Sequence, residues 1–164
     1  MPEGRRVLVA GIGNVFRGDD GFGSAVARRL ERESFPDGVE VADYGIRGVH
    51  LAYQLLEGYD LLVLIDAVPR GGPPGTVYVI EPDQVTDDAA ETAPMDSHDM
   101  SPELVLGLLP KLGGSIDRVL VVGCEPATVD DGMVLSAPVE GAIEEAAATV
   151  LDIVAGALSE ELAP

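Results

Sequence analysis

Asp60-Leu61-Leu62-Val63-Leu64-Ile65-Asp66-Ala67-Val68 is the most apolar stretch of this 164-residue chain. Its hydrophobicity is continuous rather than alternating, which predicts a strand covered on both faces at the centre of a sheet. Arg6–Gly11 (RVLVAG) and Arg118–Cys124 (RVLVVGC) repeat the pattern, and Val39–Asp43 is another short strand. Between them the period becomes helical. One helix is expected from Asp19 or Asp20, acting as N-cap, to about Glu33, with Phe22, Val26 and Leu30 on one face; a second spans Gly48–Leu56. After the central strand, Arg70-Gly71-Gly72-Pro73-Pro74-Gly75 reads as a turn and Thr76–Glu81 (TVYVIE) as a strand. That connection is too short for a parallel crossover, so this strand should be an antiparallel neighbour or an edge. Ser101-Pro102-Glu103 opens a helix, with Ser as N-cap and Pro in the first helical position. Ser136 to about Leu158 is expected as one long alanine-rich helix, with Val139, Ile143, Val150 and Val154 turned inward. The order specifies a three-layer α/β/α sandwich around a mostly parallel, roughly five-stranded twisted sheet with one antiparallel edge strand. Neither a repeat nor a linker divides the chain, so one domain over 1–164 is expected, with its core from about 6 to 158.

Composition limits what such a domain can do. Hydrophobic residues make up 46% of the chain, enough for a sizeable core, and no apolar run reaches the ~20 residues that span a bilayer. The segment after Met1-Pro2-Glu3-Gly4-Arg5-Arg6 is broken by Gly11, Gly13 and Asn14, too soon for a secretory signal, and the single Cys124 forms no internal disulfide. A cytoplasmic protein without membrane association is expected. Ten Lys and Arg against 29 Asp and Glu leave a net charge of −19. That field repels phosphate backbones and argues against nucleic-acid partners. The acidic surplus gathers in Glu81–Asp99 and near the C-terminus, as a solubilising surface would.

Ligands of parallel sheets collect at the carboxyl ends of the strands. The turn after the first strand, Gly11-Ile12-Gly13-Asn14-Val15-Phe16-Arg17-Gly18-Asp19-Asp20-Gly21-Phe22-Gly23, lacks the third glycine of a dinucleotide fingerprint, because Phe stands at position 16. Its distinguishing feature is the acidic pair, which can equally be a helix cap. Asp66 ends a buried strand, where a carboxylate needs a cation or several hydrogen-bond donors. His98 lies in Pro82–Met100, a polar stretch long enough to be functional, although a loop histidine is often simply solvated. His50, without an acidic partner in view, reads as surface or packing. If the first and third strands are neighbours, Asp20 and Asp66 face one cleft. With His98 they offer two oxygens and one nitrogen, a set suited to a borderline divalent metal in an open site. The residues taken alone lead no further. Cys124 has no nearby histidine to activate it, no Gly-x-Ser-x-Gly elbow is present, and Ser97 reads as a helix-approach cap.

The turn quoted above closely resembles the opening motif of the hydrogenase maturation proteases. Asp43-Tyr44-Gly45-Ile46-Arg47-Gly48 is similar to that family's second motif, and Leu64-Ile65-Asp66-Ala67-Val68, Pro73-Pro74-Gly75-Thr76, Ser97-His98 and Val122-Gly123-Cys124-Glu125-Pro126 follow in the family's order. The resemblance runs from about Arg6 to Leu158 and rests on the ordered series. It implies an endopeptidase that trims the C-terminal extension of a nickel-loaded hydrogenase large-subunit precursor. It places Asp20, Asp66 and His98 at the metal-contacting, catalytic positions, the first of which is Glu in some members and Asp in others. Asp43, Gly45 and Gly48 would serve the substrate side of the cleft. The nickel would arrive with the precursor, and zinc or cadmium could take the same donors. A monomer is adequate for such a core. The rival readings are a non-hydrolytic metal-sensing or metal-binding accessory protein of the same fold, which would use the same three residues, and a peptidyl-tRNA hydrolase-like enzyme, which the acidic charge disfavours.

Overall fold

The computed structural model describes residues 5–82, 102–128, 132 and 134–160. His98, Ser97 and Ser101 lie outside the described residues. Five strands, β1 (Val7–Ile12), β2 (Val39–Gly45), β3 (Leu61–Ala67), β4 (Val77–Ile80) and β5 (Arg118–Cys124), form one sheet in the order β2-β1-β3-β5-β4. All neighbours are parallel except β4, which runs antiparallel to β5. The strand of the DLLVLIDAV stretch is thus central, and every residue of it is buried. The TVYVIE strand takes the edge, against β5 rather than beside β3.

Around the sheet lie α1 (Phe22–Leu30), α2 (Gly48–Leu55), α3 (Pro102–Lys111), α4 (Ala137–Glu140) and α5 (Ile143–Glu160), with a 3-10 turn at Gly18–Gly21. Side chains alternate across a strand, and here the alternation divides the core in two. Val7 and Val9 of β1, with Leu61, Val63 and Ile65 of β3, pack against α1 and α5. Leu8, Ala10, Ile12, Leu62 and Leu64 pack against α2 and α3. Asp66 shares the parity of Leu62 and Leu64 and so belongs to the α2–α3 side. Phe22, Val26 and Leu30 are each 0% exposed, as their spacing predicts, and each such burial stabilises the fold by roughly 1.5–3 kcal/mol. The helix lies so close to the sheet that a Cβ on Gly23 would collide with the carbonyl oxygens of Ile12 and Ile65.

Two expectations need correction. Neither aspartate caps α1: its N-cap is Gly21, with no side-chain hydrogen bond, and the acidic pair sits in the 3-10 turn before it. The C-terminal helix is also two helices. At Gly141 and Ala142 the bonding tightens, Ala142 N–H donating to the Val139 carbonyl at 3.0 Å, before α5 resumes. Glycine at that point weakens helical continuity by about 1 kcal/mol. Val139, Val150 and Val154 are buried as expected, but Ile143 is only half-buried, and Ala142, Ala146, Ala147 and Ala157 fill the inner face. Among the described residues, no helix is long and apolar enough to cross a membrane.

Candidate active site

β1 and β3 are direct neighbours, with Gly11 opposite Ile65, so the turn after β1 meets the end of β3. Asn14 shapes that turn. Its side-chain oxygen accepts from Phe16 N–H at 2.9 Å, its carbonyl accepts from Arg17 N–H at 3.1 Å, and its own N–H donates to Asp20 Oδ2 at 2.9 Å. Gly13 lies between the backbone of Asp20 and the carboxylate of Asp66. Its φ of +127° is a conformation that L side chains rarely adopt, and a Cβ there would collide with the Asp20 carbonyl and stand 3.2 Å from Asp66 Oδ1. The glycine lets the Asp20 backbone pack close beside the Asp66 carboxylate.

Asp66 is 4% exposed, and its Oδ1 accepts from Ala67 N–H at 2.8 Å. Burial pushes its carboxyl well above the usual carboxylate range, and the neighbouring Asp20 charge pushes it further. Such a pair is relieved by a proton or by a cation, and its oxygen donors fit a divalent ion. Among the described residues, no group of three His, Cys, Asp or Glu side chains is arranged to hold a metal.

The substrate-side residues divide. Asp43 Oδ1 accepts from Ser24 Oγ at 2.6 Å and from Gly45 N–H at 3.0 Å, while Oδ2 stands 3.4 Å from Arg28 Nε. The Gly45 carbonyl accepts from Gly13 N–H at 3.0 Å, so the end of β2 is tied to that glycine. Asp43 and Gly45 line a cleft of about 240 Å³ with Gly13, Phe16, Arg28 and Ile46. Gly48 is the buried first residue of α2 and does not line it. His50 is exposed on α2.

Asp19, which the sequence offered only as a helix cap, and Glu125, which it did not single out, hold this end of the sheet together. Asp19, 0% exposed, accepts from Ala127 N–H (2.7 Å), Thr128 N–H (3.0 Å), Ser136 N–H (2.7 Å) and Ser136 Oγ–H (2.8 Å). Burial pushes its carboxyl up, but these bonds outweigh it and hold the group below the ordinary value. Glu125, 5% exposed, accepts from Arg70 N–H (2.8 Å), Gly72 N–H (3.0 Å) and Tyr78 Oη–H (2.7 Å), fixing the turn after β3. The Arg70 and Tyr78 bonds hold it below the ordinary range. Glu125 carried the same signal as Asp66, an acid at the end of an apolar strand. The Cys124 thiol is buried, and burial followed by the Asp19 and Glu125 charges pushes it up to about 11, which suits an inert thiol.

Comparison with known proteins gives one consistent result. The profile of a family described as hydrogenase maturation protease matches residues 24–153. A hydrogenase expression/formation protein HupD of Rhizobium leguminosarum bv. viciae is 32% identical over 93% of this chain and 75% of its own length. The protein HupM of Azotobacter chroococcum is 36% identical over 91% of this chain and 71% of its own. Among solved structures, the hydrogenase maturating endopeptidase HybD from E. coli superposes with a TM-score of 0.76 at 29% identity, covering 92% of this chain and 93% of that one. A hydrogenase 2 maturation peptidase from a thaumarchaeote superposes at 0.70 with 35% identity, covering 92% and 99%.

Proposed function

The chain belongs to the hydrogenase maturation protease family, and from that premise we propose that it removes the C-terminal extension of a nickel-loaded nickel–iron hydrogenase large-subunit precursor. Asp20, Asp66 and His98 receive the nickel that the precursor brings. The observation that carries this reading is Asp66, buried at the end of β3, whose proton affinity is raised by burial and then by the Asp20 charge, beside Gly13 on the wall of a cleft. Two carboxylates supply part of a coordination shell; His98 and the precursor's own ligands supply the rest.

Nickel held there provides a fixed positive charge that polarises the scissile carbonyl or an attacking water. The chain's own residues do the orienting. Asp66, buried and anchored on Ala67 N–H, presents a carboxylate that cannot swing away. Asp20 is half-buried and accepts from Asn14 N–H through Oδ2. Asp43 and Gly45 wall the cleft that takes the precursor chain, and Gly48 opens the helix that follows that wall. Holding the peptide against the metal converts an encounter into an oriented, near-unimolecular step.

Intact-mass spectrometry of a precursor incubated with this protein, nickel-loaded in one sample and nickel-free in the other, tests the reading. The expected result is loss of one C-terminal peptide from the loaded form alone. Equal cleavage of both forms would remove nickel from recognition, and cleavage of neither would overturn the assignment.

A further inference from the structure

Large apolar side chains are exposed in a band that starts at the cleft and leaves it. Phe16 (62% exposed) and Ile46 (45%) line the cleft, and Val49 (53%) and Tyr53 (56%) continue from Ile46 along α2. Val49 and Tyr53 are four apart and so share the outer side of that helix, and Ile46 precedes its N-cap, Arg47. The inner side of α2 is occupied by Leu51 and Leu55, buried against the sheet and α3, so the band is not core that has slipped outward. Contiguous exposed apolar surface of this kind marks an interaction site.

Charge identifies the occupant. The chain carries 29 Asp and Glu, yet none falls in residues 4–18 or 44–56, the two segments that build the band. At its cleft end Asp43 is paired with Arg28, 3.4 Å away, and what borders the rest is cationic or neutral. Arg47 bonds the Asp43 and Tyr44 carbonyls through Nη2 and Nε, Arg28 stands on the cleft wall, and His50 is exposed beside Val49. A surface so cleared of acids in a −19 protein is complementary to apolar side chains ringed by carboxylates. A second copy is the poorer match, because a two-fold contact through this band would set Arg47 against its own equivalent and bring two strongly acidic molecules together.

We propose that the band formed by Phe16, Ile46, Val49 and Tyr53 is the docking surface for the folded body of the large-subunit precursor, which meets it with apolar side chains bordered by carboxylates. The proposal rests on the reading of this protein as the protease of that precursor. Through Val49 and Tyr53 it adds a contact outside the cleft, which selects the partner while the cleft holds the chain to be cut.

Val49→Asp and Tyr53→Glu test it. Both positions are exposed, and an acid in the first turn of α2 suits the helix dipole, so folding is preserved. Dissociation constants for the nickel-loaded precursor and steady-state processing rates are measured for wild type and variants. The expected result is a rise of roughly tenfold or more in Kd and KM, with kcat within about twofold, because these residues touch the partner and not the reacting bond. Wild type that binds without cleaving, with binding weakened in both variants, would uphold the docking surface and sink the protease reading. An unchanged Kd in both variants would overturn the docking surface, as would wild type that fails to bind the precursor. Sedimentation of wild type as a dimer and Val49→Asp as a monomer, with Kd unchanged, would assign the band to self-association and overturn it equally.

Discussion

Asp19 and Asp20 are adjacent in the chain and do different work. Asp20 is half-buried at the candidate active site, whereas Asp19 is sealed in and ties the 3-10 turn to residues 127, 128 and 136. Asp19→Asn would turn an amide N–H toward the Ser136 N–H, leaving two donors face to face. The expected cost is about 1–3 kcal/mol of stability, read by chemical denaturation, together with reduced processing because the turn carrying Asp20 loosens. Asp66 should behave in the opposite way. Its carboxyl is raised in the fold, so its ionised form opposes folding at neutral pH. Asparagine keeps an acceptor for Ala67 N–H. Asp66→Asn is therefore expected to abolish processing while the melting temperature stays level or rises, and His98→Ala should also abolish it with little change in melting. Full cleavage by either variant would remove that residue from the site. Glu125 gives a pH signature with the reverse sign. Its folded carboxyl lies below the ordinary 4.5, so its contribution is complete above that pH and is lost as pH falls through the folded value. The stability gap between wild type and Glu125→Gln should be full at pH 7 and close in acid, as followed by thermal melts across pH.

At the scale of elements, close packing of α1 on the sheet decides where the acidic turn stands. A methyl group at position 23 has nowhere to go, since backbone carbonyls of β1 and β3 confront it. Gly23→Ala is expected to cost about 3 kcal/mol or more; a melt within two or three degrees of wild type would contradict the packing described. Strands β1, β3 and β5 and the inner face of α1 were legible in the sequence because their signals are local: continuous apolar runs for buried strands, and the spacing of Phe22, Val26 and Leu30; β2 showed instead as a short alternating segment, half-buried in the fold. The break between α4 and α5 was not, because alanine-rich periodicity runs straight through it and only the bonding around Gly141 reveals the interruption. The partner of β4 was equally hidden, since a short turn fixes direction without saying which strand lies alongside.

For the whole molecule, −19 charges on one fold oppose compaction, and screening relieves them. The melting temperature should rise by a few degrees between about 0.01 and 0.15 M salt, where the Debye length shrinks from roughly 30 to 8 Å. A flat response would mean that the unpaired acids stand too far apart to repel one another measurably. The candidate site divides by the same distinction between local and distant. Asp66 stood out as an acid ending an apolar strand and Asp20 as part of an acidic pair before a helix. The clamp made by Asp19 did not, because its donors lie 108, 109 and 117 positions away in sequence. That separation also sets an order in time. A ribosome releases a chain from its N-terminus at ~5–20 residues per second, so Asp19 emerges early and waits for Ser136. Until then the turn that carries Asp20 lacks its anchors, and the nascent chain cannot cut anything before residue 136 has emerged.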